Sequence, residues 1–103
     1  MTIMVWEYQV KPGRVADFEE IYASDGLWTQ LFKKQADFLS TELLQDSDHP
    51  QRYITIDRWA SSQAYNSFHT KWQDEYKALD EHCKDFTDRE SFLGTLLPLQ
   101  SGE

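Results

Sequence analysis

The sequence predicts an α+β domain, a four-stranded antiparallel sheet with two helices packed on one of its faces. Three observations carry this prediction. In residues 52–59, Tyr53, Thr55, Asp57 and Trp59 alternate with Arg52, Ile54, Ile56 and Arg58, the period of two that marks a strand with two chemically different faces. In residues 65–83, Tyr65, Phe68, Trp72, Tyr76, Leu79 and Cys83 recur at steps of three and four, the stripe of an amphipathic helix. Between residues 38–45 and the alternating strand lies Asp46-Ser47-Asp48-His49-Pro50, a turn sequence that joins the two strands as a hairpin.

The remaining elements follow in chain order. Residues 3–10 form the first strand, with Ile3, Val5, Glu7 and Gln9 on one side and Met4, Trp6, Tyr8 and Val10 on the other. Lys11-Pro12-Gly13-Arg14 is a turn, after which Val15, Phe18, Ile21 and Tyr22 recur at helical spacing. Ser24-Asp25-Gly26 ends that helix, and Leu27, Trp28, Leu31 and Phe32 predict a second short helical turn. Residues 38–45 are the second strand and residues 52–59 the third. Ser61 or Ser62 caps the second helix, which reads as one long element reaching Cys83. Residues 85–89 read as a loop, residues 90–97 as the last strand and residues 98–103 as a frayed tail, leaving residues 1–97 as a single domain.

The order β-α-β-β-α-β, with right-handed crossovers, is the ferredoxin-like arrangement. It leaves one sheet face bare, and Ile3, Val5, Ile54 and Ile56 fall there. Glu7 shares that face and needs a partner, for which Arg52 or Arg58 is in reach. An apolar sheet face without helices predicts a homodimer packed face to face.

At 103 residues the chain suits one domain. Aromatic residues make up 15 % of it, so its apolar bulk sits in large rings, which make pocket walls as readily as tight cores. The net charge of −8 argues against nucleic acid and anionic membranes as partners. A single cysteine, Cys83, excludes an intramolecular disulfide and suits a reducing compartment. No apolar run approaches the roughly 18–20 residues of a membrane span, and the chain opens on a strand pattern without a signal-peptide core. The expected location is cytoplasmic. No His, Cys and carboxylate spacing matches a zinc or non-haem iron motif, and the glycines form no phosphate-cradling fingerprint.

Trp6, Tyr8, Tyr53, Trp59, Tyr65, Phe68 and Trp72 share the space between sheet and helices. They either fill the core or line a cavity for a small aromatic ligand. Tyr and Trp packed in a small core leave O–H and N–H groups in need of partners, which a wet pocket supplies. Asp57 shares the strand face of Tyr53 and Trp59. Buried among rings, its pKa would rise into the range of a general base or acid; paired with Arg52, Arg58 or a helix N-terminus near the surface, it would be structural. His69 flanks the helical stripe, either as a proton shuttle or as a surface residue. His49 lies in the turn, His82 near a helix end where a cation is favourable, and Cys83 reads as inert core.

Two local features resemble a known family. One is the first strand followed by Lys11-Pro12-Gly13 and a helix. The other is Tyr-Ile-Thr-Ile-Asp-Arg-Trp-Ala-Ser-Ser-Gln-Ala-Tyr at residues 53–65. Together they resemble the antibiotic biosynthesis monooxygenase (ABM) domain of the dimeric α+β barrel superfamily, over residues 2–97. The resemblance implies a pocket and, in one branch of the family, oxidation of polycyclic phenols without a cofactor. That branch uses an Asn on the third strand, a Trp at its end and a Tyr early in the second helix. Trp59 and Tyr65 match the last two, while Thr55 stands at the Asn position. The haem-degrading branch uses an Asn in the first strand and a Trp and a ligating His on the second helix. Trp6 and Phe68 stand at the first two positions, Ala78 or Leu79 near the third, and His82 about one turn further on, so haem degradation is not expected.

The expected function is thus a cofactor-independent monooxygenase acting on an aromatic or quinol-like small molecule. Asp57 and His69 are its candidate proton-handling residues, and Trp6, Tyr53, Thr55, Trp59, Tyr65, Phe68 and Trp72 its candidate substrate contacts. The alternative is a non-catalytic small-molecule-binding or stress-related dimeric module of the same fold. No metal or bound cofactor is expected.

Overall fold

The structure, a computed structural model, describes residues 1–99; residues 100–103 of the expected tail lie outside the described residues. Four strands, β1 (Thr2–Val10), β2 (Phe38–Gln45), β3 (Arg52–Trp59) and β4 (Thr87–Leu96), form one sheet in the order β2-β3-β1-β4. All neighbouring pairs are antiparallel. Helices α1 (Val15–Tyr22), α2 (Leu27–Phe32), α3 (Ser62–Lys71) and α4 (Gln73–Cys83) follow the βαββαβ order, with 3-10 turns at Pro12–Arg14 and Lys84–Phe86. This is the ferredoxin-like fold that the alternation and turn signals predict.

The faces divide as expected. On β3, Tyr53, Thr55, Asp57 and Trp59 are buried and their alternating neighbours half-exposed. The register aligns Thr41, Asp57 and Met4 in one cross-strand row and Leu43, Thr55, Trp6 and Phe92 in the next. The core lies between this inner face and the helices, where Val10, Phe18, Tyr53, Trp59 and Phe68 are almost wholly buried. On the other face, Arg52 pairs with Glu7, its Nε donating to Oε2 at 2.6 Å, and Arg58 pairs with Glu42 at 3.1 Å.

The structure corrects the sequence reading at two places. The segment from Ser62 to Cys83 is two helices, because Trp72 takes φ −114° and ψ 29° between them. Neither Pro nor Gly signals this break. Beside it, the Thr70 hydroxyl donates to the Asn66 carbonyl at 3.2 Å, a side-chain bond that competes with the helical ladder and bends it. The expected loop at residues 85–89 is a 3-10 turn followed directly by β4 from Thr87, so the last strand starts earlier than its apolar residues suggest. A register shift opposite Val5 and Trp6 leaves Leu93 unpaired next to Gly94, whose φ of 150° accommodates the bulge.

Candidate active site

A cleft opens between the inner face of β1 and β3 and the helices, with about 450 Å³ of free space counting its open mouth. The sheet contributes Trp6, Tyr8, Thr41, Thr55 and Asp57 to its walls. The helices contribute Tyr22, Trp28, Phe32, Tyr76 and Asp80, and Glu90 comes from β4.

Asp57 is its buried carboxylate. The strand alternation turns it inward, where it is 8 % exposed. Thr41, directly across the hairpin, donates from Oγ1 to Asp57 Oδ1 at 2.8 Å. No other hydrogen bond or ion pair reaches the carboxylate among the described residues, because Arg58 is engaged by Glu42 and Arg52 by Glu7 and Asp46. Burial pushes the carboxyl from its ordinary 3.8 up to about 6, against the opposing pull of the Thr41 hydroxyl. The surface-paired reading of Asp57 is therefore excluded, and the carboxylate belongs to the cleft.

Tyrosines surround it. The Tyr8 hydroxyl and Thr55 Oγ1 are hydrogen-bonded at 3.3 Å. Burial raises the Tyr8 phenol well above its usual range, with Asp57 and Glu90 adding to the effect and the Thr55 bond opposing it. Tyr22 and Tyr76 are raised chiefly by burial as well. All three remain neutral hydroxyls at any physiological pH. At the mouth, Asp80 and Glu90 are exposed, and the Glu90 carboxyl is raised by partial burial and then by Asp80.

Among the residues singled out from sequence for the cavity or the chemistry, Trp6, Tyr8, Thr55 and Asp57 line the cleft together, and Tyr53, Trp59, Tyr65, Phe68, His69 and Trp72 do not. Trp59 is fully buried among the rings of Phe32, Phe38 and Phe68, and Tyr65 stands edge-on to it at 5.6 Å. Phe68 is core. Tyr53 is buried, with its hydroxyl donating to Glu19 and accepting from Gln45 Nε2 at 3.1 Å. Trp72 is half-buried under the ammonium of Lys34, 4.9 Å from its ring centroid. His69 is half-buried against Tyr65 and Tyr76, at 4.4 and 4.7 Å between ring centroids. Burial pulls its pKa below the ordinary 6.5, so at neutral pH it is uncharged.

Sequence reasoning proposed no site role for Thr41, Tyr22, Trp28, Phe32, Tyr76, Asp80 or Glu90. Some signals were present. The hairpin register pairs Thr41 with Asp57, and Trp28 and Phe32, like Tyr76 and Asp80, are four residues apart on one helical face.

Residues 1–89 match the sequence model of the family described as antibiotic biosynthesis monooxygenase. The chain belongs to the ABM family. Among solved structures, this ABM chain is similar to SnoaB, a cofactor-independent oxygenase from Streptomyces nogalater. That match has a TM-score of 0.79 and 19 % identity over 98 % of this chain and 95 % of that one. It is also similar to Rv0793 from Mycobacterium tuberculosis, with a TM-score of 0.74 and 14 % identity over 99 % and 98 %. PA3566 from Pseudomonas aeruginosa has a TM-score of 0.70 and 14 % identity over 96 % and 94 %. At these identities the likeness to solved structures shows a shared fold. No curated protein matches the chain. No helix among the described residues is long and apolar enough to cross a membrane.

Proposed function

We propose that this ABM protein is a cofactor-independent monooxygenase of a phenolic or quinol-like aromatic, with Asp57 as the proton-handling group. The observation that carries this reading is a desolvated carboxylate, held by one hydroxyl, that titrates near 6 in the wall of an aromatic cleft. Such a group is ionised at neutral pH and is a stronger base than a solvated aspartate. Description of the structurally similar SnoaB as a cofactor-independent oxygenase agrees with it.

Asp57 takes the proton of a substrate O–H. The resulting phenolate passes one electron to O₂, and the aryloxyl radical and superoxide couple at a ring carbon, forming the new C–O bond. Asp57 returns its proton to the peroxide. Loss of the ring C–H proton with cleavage of the O–O bond then releases water and leaves a quinone. The net change is phenol plus O₂ to quinone plus water, and the carboxylate is regenerated. The neutral Tyr8–Thr55 hydroxyl pair orients the substrate oxygen, while the rings of Trp6, Trp28 and Phe32 hold its plane. His69, outside the cleft, has no part in this scheme.

The test is oxygen uptake with a panel of phenols and quinols. Wild type should consume O₂ and yield quinone without free peroxide, its rate rising with pH through about 6 as Asp57 ionises. Asp57→Asn should lose at least about 100-fold in kcat/KM. Equal rates in the two proteins would remove Asp57 from the mechanism.

The bare sheet face supports a homodimer. Ile3, Val5, Ile54 and Ile56 lie there half-exposed with Leu44 and Leu96. Four charges on that face are already paired as Glu7–Arg52 and Glu42–Arg58, and Arg89 lies at its β4 edge opposite Gln9, so a second copy centred on β1 and β3 could cover it without burying a lone charge.

A further inference from the structure

Of the eleven described residues lining the cleft, six are aromatic, three are carboxylates and none is Lys, Arg or His. Two basic residues, Lys84 and Arg89, lie near its mouth. Lys84 is engaged by Glu81. Arg89 and Lys84 line a neighbouring depression that also includes Asp80 and Glu90, yet no basic group comes within 4 Å of either carboxylate among the described residues. Deeper in, Asp57 is nine-tenths buried, and its second oxygen has no partner among the described residues.

Aromatic faces and unpaired carboxylates attract the same kind of ligand. Ring quadrupoles favour a cation over their faces, and two like charges at one mouth are relieved by a positive charge between them. The net charge of −8 adds a field that draws cations in and turns anions away. Building on the monooxygenase reading of this cleft, we propose that its substrate is a cationic hydroxyaromatic. An ammonium group would sit between Asp80 and Glu90, and the ring would lie against Tyr76 and Trp28 with its hydroxyl toward Asp57. Carboxylate-bearing phenols are rejected.

The effect is read by binding, independently of turnover. Quenching of Trp6 and Trp28 fluorescence, checked by calorimetry, compares tyramine, uncharged para-ethylphenol and anionic para-hydroxyphenylacetate. Two partly exposed charge contacts give tyramine about a tenfold lower Kd than para-ethylphenol, and the anion binds most weakly. The advantage shrinks as salt is raised. Asp80→Asn combined with Glu90→Gln abolishes the difference between tyramine and para-ethylphenol. The proposal is overturned by an anion that binds as tightly as tyramine, by a preference insensitive to salt and to the double substitution, or by failure of all three compounds to bind. Oxygen uptake separates it from the reading it rests on. A charge preference without turnover of any phenol leaves this inference and refutes the monooxygenase; turnover indifferent to ligand charge does the reverse.

Discussion

Replacing Asp57 by Asn should make the protein more stable, by an amount that depends on pH. The folded carboxyl titrates at about 6 because burial penalises its charge, whereas an unfolded aspartate titrates near 3.8. The native state therefore holds its proton more tightly than the unfolded chain. Stability is fully present below 3.8, falls as pH rises towards 6, and above that carries a constant penalty. The difference between the two values amounts to about 3 kcal/mol. Asparagine is never charged, and its carbonyl oxygen still accepts the Thr41 hydroxyl, so it escapes the penalty without losing the bond. For a domain of this size, that gap corresponds to a rise in Tm on the order of 10 °C at pH 8, shrinking to nearly nothing at pH 4. The assay is thermal unfolding of both proteins from pH 4 to 8 at one fixed protein concentration. Only the difference between the curves is used, so other titrating groups cancel. A gap of the same size at both pH limits, or a less stable Asn variant at pH 8, would refute the argument that Asp57 is held ionised against its environment.

Two further outcomes test the fold. Gly26→Ala should destabilise the protein by about 2–3 kcal/mol, because a Cβ there would lie 2.3 Å from the Ile21 carbonyl oxygen and 2.7 Å from that of Glu20, both backbone atoms; an unchanged Tm would show that the corner between α1 and α2 is looser than described. Light scattering after size exclusion should give twice the 12.2 kDa chain mass, and Ile54→Lys with Ile56→Lys should yield monomer; a wild-type monomer at micromolar concentration would sink the dimer.

The fold was legible because its signals are local. Alternation in residues 52–59 set which side chains face the helices, and Asp46–Pro50 set the hairpin and with it the Thr41–Asp57 pair. The site was less legible, since its walls come from elements whose approach no local pattern encodes. Tyr76 and Asp80 lie on α4, beyond the break at Trp72, and a stripe with regular spacing on both sides of that residue reads as one straight helix. Glu90 enters through a strand that begins at Thr87, and the polar run Thr87-Asp88-Arg89 before it reads as loop, which hides how the strand approaches the helices. Asp57 had two open readings until the positions of Arg52 and Arg58 were known. Both arginines project to the opposite sheet face, where Glu7 and Glu42 engage them.

The stretch that points to the ABM family has a different job in this structure from the one its resemblance suggests. Trp59 ends β3 as the hub of an aromatic cluster with Phe32, Phe38 and Phe68, and Tyr65 covers its edge. Between them, the Ser61 side chain accepts the Ala64 N–H at 3.1 Å and starts α3. Ala64 itself is buried and small enough for the helix to sit close on the sheet. Trp59, Ser61, Ala64 and Tyr65 thus fix how a strand end turns into a helix that closes the core. A core requirement of that kind is met by few residue types, which is why the stretch identifies the fold. The cleft lies further along the same face, on Thr55 and Asp57, where a change of side chain alters polarity and charge without dismantling the corner. Chemistry can therefore vary at Thr55 and Asp57 while Trp59, Ser61, Ala64 and Tyr65 keep the architecture, and a Thr where one branch of the family has Asn is a change in the cleft and not in the fold.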